Sequence, residues 1–426
     1  MSTLPLRGPL VLGGPQAWLV WIIAVTFVVY YFSFQTGYSI VNPSVQKDIG
    51  LSIAQVGAIA AIYTWVFAVC QFLSGAVLDR MGARRILLPS ILLVTIGVFT
   101  FANAKNFETL LLSQALIAVG ACTGFVGAGY VGGKWFGMAK FSFMFGLVQF
   151  SASLFSAFGQ NLLNWALASF HWQQLFNYVG MFGVVLLAAA VLYLRDPAPV
   201  AAPTAQSFKS FLGAVLQSLL KVARLPHIWL AAAFGGLCFG AMLGLGIVWA
   251  PKLLMVRGLD ASIANSAASF LWLGLAVGCF VAPWVSDRLR RRKLPILIGI
   301  ALQLVALFLL LYASPMGAAV DVALCFLFGI GNSAHMLAFS TAGDVVEPEN
   351  IGTSAAIVNG TMFLLGGIMI SRPGMRIGLG LEAGVPSGSL ELAQFAARPL
   401  LIGLCIAFII AVFMRESYPA KFAEPK

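Results

Sequence analysis

Charge is what this chain has least of. Only 9% of its 426 residues are Asp, Glu, Lys or Arg, against roughly 25% in an average soluble domain. That deficit excludes a cytosolic enzyme, a nucleic-acid-binding domain and a disordered protein. Cysteine is sparse and unpatterned: Cys70, Cys122, Cys238, Cys279, Cys325 and Cys405 lie inside apolar runs without CxxC spacing. Neither a zinc site nor a disulfide framework is expected from them, and they read as small packing residues. There are three histidines, of which His171 and His227 fall at the ends of apolar runs and form no metal-like cluster. Gly127-x-Gly129-x-x-Gly132 matches a dinucleotide fingerprint, but it ends an apolar run with no strand before it, so these are packing glycines. No cofactor and no metal are expected. The first apolar stretch is too long, and lacks the small-residue exit, for a cleavable signal peptide.

What the chain has in abundance is apolar: 60% of residues are hydrophobic and mean hydropathy is +0.95. A helix needs about 20 residues to cross ~30 Å of hydrocarbon. Twelve runs meet that length: 17–40, 52–77, 86–104, 109–131, 141–167 and 173–194, then 228–250, 262–285, 294–314, 317–340, 352–375 and 398–414. Backbone polar groups cannot stay unpaired in lipid, so each should be a helix. The expected fold class is an all-α integral membrane protein with two sets of six transmembrane helices. The divisions are an N-terminal set over 1–194, a linker over 195–227, a C-terminal set over 228–414 and a tail over 415–426.

The net charge of +11 follows from topology rather than from a nucleic-acid partner. With the N-terminus inside, 18 of the 25 Lys and Arg fall on the inner side and seven on the outer. This places both termini in the cytoplasm. The linker opens with Arg195-Asp196-Pro197 and an extended run, Ala198–Pro203. Phe208, Phe211, Leu212, Val215, Leu216, Leu219 and Leu220 then recur at helical spacing beside Lys209, Lys221 and Arg224. That pattern predicts an amphipathic helix on the inner membrane face; a soluble linker helix is the plainer alternative.

Two loops repeat. The first reads Gly75-Ala-Val-Leu-Asp79-Arg80-Met-Gly82-Ala-Arg84-Arg85, and the second ends Ser286-Asp287-Arg288-Leu-Arg290-Arg291-Arg292-Lys293. Asp79 and Asp287 are 208 residues apart (287 − 79), each after the second span of its set. An internal repeat of that kind marks a transporter. An acid among arginines adds nothing to topology, so Asp79 needs a structural reason, such as capping the positive end of a neighbouring helix.

The Gly75-xxx-Asp79-Arg80-x-Gly82-x-Arg84-Arg85 loop resembles the signature loop of the major facilitator superfamily. Lys47-Asp48-Ile49-Gly50-Leu51-Ser52-Ile-Ala-Gln55-Val-Gly57 is similar to the outer end of helix 1 and the start of helix 2 in bacterial members. Ser286-Asp287-Arg288 resembles the degenerate second copy of the loop. Gly120–Phe136 and Arg415-Glu416-Ser417 resemble bacterial metabolite carriers of the superfamily. The resemblance implies two six-helix bundles around a central cavity, working by alternating access. It also implies a conformational latch in which the loop aspartate pairs with the signature arginine and the facing bundle. Carried over, the latch comprises Asp79, Arg80 and Arg84, with Asp287 and Arg288 in the second loop.

The spans themselves hold few groups that could meet a substrate. No Asp or Glu sits near the middle of any, which leaves facilitated diffusion, exchange, or coupling through histidine. His335, with Asn332 three residues before it, is a candidate binding or proton-carrying pair; a histidine satisfied by a neighbouring helix is the alternative. Arg372 precedes Pro373 and could clamp a carboxylate or phosphate if helix eleven continues towards Glu382; snorkelling to headgroups is the alternative. Pro373 should kink that helix. Further candidates are Tyr30, Tyr31 and Gln35 in span one, Tyr63 and Trp65 in span two, and Gln149, Gln160 and Asn164 in span five. Trp272 in span eight and Asn359 in span eleven complete them. Each amide is as readily helix–helix glue as ligand. Trp18, Trp172 and Trp249 read as interface anchors.

The expected function is transport of a small polar metabolite, with Arg372 pointing to organic anions. A carrier of neutral or zwitterionic solutes is the alternative, and a drug or siderophore exporter follows it, though span five lacks the Gly-Pro pair of many such exporters. A receptor on a transporter fold would share the sequence pattern, whereas an enzyme would need clustered catalytic groups that are absent. The expected partners are a small-molecule substrate and the bilayer, with no nucleic acid, in a monomer that needs no second chain to complete its cavity.

Overall fold

With no water to pair its backbone, an apolar chain in lipid satisfies its N–H and C=O groups within helices. The computed structural model describes residues 12–197 and 208–419, and among them there is helix but no strand. The first six spans are α1 (Pro15–Ile49), α2 (Ile53–Met81), α3 (Ala83–Ala102), α4 (Phe107–Ala121) with α5 (Gly124–Phe136), α6 (Phe141–Ser169) and α7 (Trp172–Tyr193). The linker carries α8 (Phe208–Ala223). The second six are α9 (Pro226–Leu243) with α10 (Ala250–Val256), α11 (Ala261–Leu289), α12 (Lys293–Tyr312), α13 (Ala318–Asn332) with α14 (Met336–Gly343), α15 (Ile351–Glu382) and α16 (Leu390–Phe413). Twelve of these spans are long and apolar enough to cross a bilayer, and the protein is a multi-pass integral membrane protein. The extended run expected over Ala198–Pro203 lies outside the described residues.

Local chemistry sets the ends. Gly50 takes a left-handed conformation (φ 72°) after α1, where a side chain would be strained. Ser52 then opens α2 with a capping box, accepting from Gln55 N at 3.2 Å while Gln55 Oε1 accepts from Ser52 N at 2.9 Å. Three spans are interrupted. Span four breaks at Cys122–Thr123, span ten passes through a 3₁₀ turn at Ser333–His335, and span seven through a π turn at Gly244–Trp249. The breaks in spans four and ten hold matching places in the two halves, and interrupted helices at matching places point to a central site.

Two expectations change. Span twelve begins at Leu390, not near 398, because Ser389 caps the helix by accepting from Leu392 N at 3.1 Å. Its first turns carry Glu391, Gln394 and Arg398, which interrupt the apolar run there. Trp172 is buried rather than an interface anchor: its indole N–H donates to Asp48 Oδ2 at 2.7 Å. This bond ties the end of α1 to the start of α7, with His171 Nε2 3.0 Å from the same carboxylate oxygen.

Candidate functional site between the bundles

The two six-helix sets meet along α2 with α15 and along α6 with α11. The approach is closest at the end bearing the basic loops, here the basic face. A β-carbon on Gly75 would overlap the Gly352 carbonyl, and only glycine lets these two backbones touch.

The Asp79 carboxylate lies at this crossing. It accepts from Gly352 N (2.9 Å), Thr353 N (2.7 Å) and Thr353 Oγ1 (2.8 Å), the first residues of α15. An acid of one bundle thus caps a helix of the other, where helix N–H groups lack partners and the dipole favours negative charge.

Arg84 does not pair with Asp79. It donates to the Val191 and Leu194 carbonyls, in the last turn and at the C-cap of α7 in its own bundle. Asp196 accepts from Ala83 N and Arg84 N, capping α3. Arg80 leaves Asp79 as well and donates to Ala214 O (2.7 Å) and Ser218 Oγ (2.8 Å) on α8.

The second loop repeats the inner part of this scheme. Glu416 accepts from Arg292 N (2.7 Å) and Lys293 N (3.2 Å), as Asp196 does for α3. Lys293 Nζ donates to Val412 O, near the end of α16. Asp287, however, stays in its own bundle, bound to Arg292 Nη1 at 2.6 Å. Arg292 also reaches Asp344 at 3.0 Å, and its charge is trapped between two acids. Burial works against the Arg292 charge, but Asp344 and Asp287 together hold its pKa above the ordinary guanidinium value. Arg288 is exposed, outside this cluster.

Deeper in, a small cavity lies between the bundles, lined by Tyr31, Gln149, His335, Phe339, Asn359 and Phe363 among others. Its volume is about 20 Å³, room for about one water. Aromatic pairs close it on both sides. Phe145 stacks on Phe339 at 5.0 Å towards the basic face, and Phe67 meets Phe363 at 4.5 Å towards the opposite face.

Both broken spans end at this cavity. The break in span four frees N–H groups at the start of α5, and the Tyr31 hydroxyl engages the Phe125 backbone there. At the break in span ten, His335 Nδ1 lies 2.7 Å from the Asn332 carbonyl. A carbonyl only accepts, so Nδ1 carries a proton, and in the neutral ring the lone pair sits on Nε2. The imidazole stacks on Phe239 at 4.7 Å.

Four expected site residues therefore come together: Tyr31, Gln149, His335 and Asn359. The others lie elsewhere. Tyr63 donates to Gln35 Oε1 at 3.3 Å, beside the cavity rather than lining it. Tyr30 turns into its own bundle against Gly183 and Phe182. Asn332 donates to the Cys238 carbonyl at 2.6 Å, alongside Gln303, and joins α13 to α9. Trp272 donates to Gly246 O in the π turn at 3.2 Å. Side chains of Gln160 and Asn164 lie outside the described residues.

Arg372 is not in the cavity. It is exposed, in a lateral groove beside Leu237, Met369, Ile402 and Gly403. Helix α15 does continue to Glu382, but 13 residues separate Arg372 from Asn359 (372 − 359). At 100° per residue that is a net turn of about 220°, away from the cavity face.

Two features of the fold lie outside the expected set of residues. Gln71, fully buried, accepts from Asn359 Nδ2 at 2.9 Å and joins the bundles through an amide pair; a glutamine inside an apolar span was the available signal. Arg257 and Asp321 form a fully buried ion pair at 2.8 Å. Arg257 also donates to Leu310 O and Ala313 O, so it ties together the ends of spans seven, nine and ten.

Known proteins agree with this architecture. The family model described as Major Facilitator Superfamily matches residues 23–371. The hexuronate transporter of Bacillus subtilis (strain 168) is 23% identical over 384 residues, covering 85% of this chain and 90% of that protein. The D-galactonate transporter of Escherichia coli O6:H1 is 21% identical over 367 residues, covering 79% and 84%. The crystal structure of the human organic anion transporter MFSD10 superposes with a TM-score of 0.73 at 14% identity, over 93% of this chain and 100% of that one. With two bundles, a shared cavity and a family match over most of its length, the chain belongs to the major facilitator superfamily and is a membrane transporter rather than an enzyme.

Proposed function

We propose that this protein carries small polyhydroxylated organic acids across the bacterial inner membrane by alternating access, as a monomer with its basic face in the cytoplasm. The substrate class rests on the named relatives, which include transporters of hexuronate and D-galactonate. The observation that carries the reading is the cavity at the two helix breaks, where Tyr31, Gln149, His335 and Asn359 converge. These hydroxyl, amide and imidazole groups suit a ligand rich in hydroxyls.

Among the described residues that line the cavity there is no arginine or lysine, so the carboxylate must be met otherwise. Two features can do so. The freed N–H groups at the start of α5 form the positive end of a half-helix. His335, once protonated at Nε2, becomes a donor and a cation in the same place. Binding the anion and binding a proton then favour each other, and one histidine couples the two. Because the cavity has room for about one water in this conformation, the bundles rock apart to admit the substrate. The basic face closes through Asp79 on α15.

The uncharged lining equally favours a second reading, a carrier of neutral solutes. A thermal-shift panel separates the two. Galacturonate and galactonate at millimolar levels are compared with galactose, with wild type and His335→Gln in detergent. A ligand of the folded state raises stability by RT ln(1 + [L]/Kd). Stabilisation by the acids, larger at pH 6 than at pH 8 and lost in the variant, supports the first reading. Stabilisation by galactose alone overturns it.

A further inference from the structure

Helix α8 is more than a tether between bundles. Val215 and Val222 are buried against the protein, whereas Leu212, Leu216 and Leu220 are 47–49% exposed along one stripe. The helix straps the closed basic face. Arg80 of α2 donates to its backbone and to Ser218, and Lys221 pairs with Glu347 of the loop before α15 at 2.6 Å. Beside it lies a cleft of about 610 Å³. Arg80, Lys221 and Arg224 line it together with Leu216, Leu220 and Asn350. Among the described lining residues there are three cations and no acid; Glu347 pairs with Lys221 from outside the lining, Arg80 is bonded to neutral oxygens and Arg224 is exposed, which leaves the cleft positively charged.

We propose that this cleft binds the phosphate headgroup of an anionic phospholipid, with the acyl chains against the exposed leucines of α8. A free phosphate would match the cations but not the leucines, and the mixture of the two is the chemistry of an amphiphile at a headgroup layer. The site joins one bundle, the linker and the neighbourhood of the other bundle's α15, so its occupant favours the state with the basic face closed. The inference does not rest on the substrate reading.

The test uses the full-length protein in micelles. Retention of phosphatidylglycerol is read by native mass spectrometry, and the shift in Tm is read with phosphatidylglycerol, phosphatidylcholine or inorganic phosphate added. Arg224→Gln removes a lining charge, while Lys209→Gln removes a charge from the same helix outside the cleft. Wild type should retain phosphatidylglycerol over phosphatidylcholine. Arg224→Gln should weaken retention about five-fold, the equivalent of about 1 kcal/mol for one basic residue at a membrane surface, and Lys209→Gln should leave it unchanged. Equal loss in the two variants would reduce the effect to diffuse surface charge and overturn the site. Equal stabilisation by inorganic phosphate would overturn the lipid as its occupant.

Discussion

The Asp79 carboxylate holds Thr353 twice, accepting from its backbone N–H at 2.7 Å and its hydroxyl at 2.8 Å, across the boundary between the two bundles. Its counterpart 208 residues on, Asp287, makes no such crossing and binds Arg292 at 2.6 Å. Arg292 is itself 208 residues after Arg84 (292 − 84). The aspartate–arginine pairing expected of the first loop is therefore made in the second, and the cross-bundle contact is made only by the first. With its carboxylate held by Arg292, Asp287 is spent within its own bundle.

This asymmetry predicts different outcomes for the same substitution. Asp79→Asn removes a charged helix cap worth about 1 kcal/mol and should shift the population towards an open basic face. Cysteine labelling at the basic-face end of the α2–α15 crossing should accelerate several-fold. Asp287→Asn should lower Tm without changing labelling there. Equal acceleration in both variants would contradict the assignment.

The Arg257–Asp321 pair should matter through stability alone. Removing one partner leaves a buried charge uncompensated, at a cost of about 3–5 kcal/mol. Arg257→Met or Asp321→Leu alone should lower Tm sharply, and the double variant should recover much of the loss. Thermal unfolding of the three variants in one detergent measures this.

Glu416 predicts a pH dependence outside the membrane. Burial alone would raise its pKa, but the N–H groups of Arg292, Tyr418, Lys293 and Ser417 outweigh it and hold the carboxyl below its ordinary value. A depressed acid contributes stability above its unfolded pKa and loses it as pH falls through the folded one. Wild type should therefore be more stable than Glu416→Gln at pH 6, and the difference should fade as the pH falls below about 4. A difference that persists in acid would show that the caps do not depend on the charge.

Arg372→Gln should leave uptake unchanged, because the guanidinium lies on the face of α15 turned from the cavity. A loss of uptake, with folding intact, would place Arg372 on the substrate path in another conformation.

The twelve spans, the two sets of six and the loop repeat were legible because lipid imposes length and apolarity on every crossing. The cavity was only half legible. Span composition marks Tyr30, Tyr31, Gln149, Asn332 and Asn359 alike as costly polar groups, but not which way each points. Tyr30 and Tyr31 are neighbours about 100° apart on one helix, and only the second meets the cavity. Asn332 spends its amide on the Cys238 carbonyl. Gln71 gained meaning only through Asn359, a partner 288 residues away (359 − 71). Such pairings depend on how the bundles dock, which no local pattern encodes.

The central claim is that His335 couples an organic acid to a proton in the cavity between the bundles. Uptake of labelled galacturonate into proteoliposomes, with and without an inward proton gradient, tests it most directly. Wild type should accumulate the acid only with the gradient, and His335→Gln, with a Tm within a few degrees of wild type, should lose gradient-driven accumulation while keeping exchange. Accumulation by the variant equal to that of wild type, or uptake of galactose in place of the acid, would contradict the account.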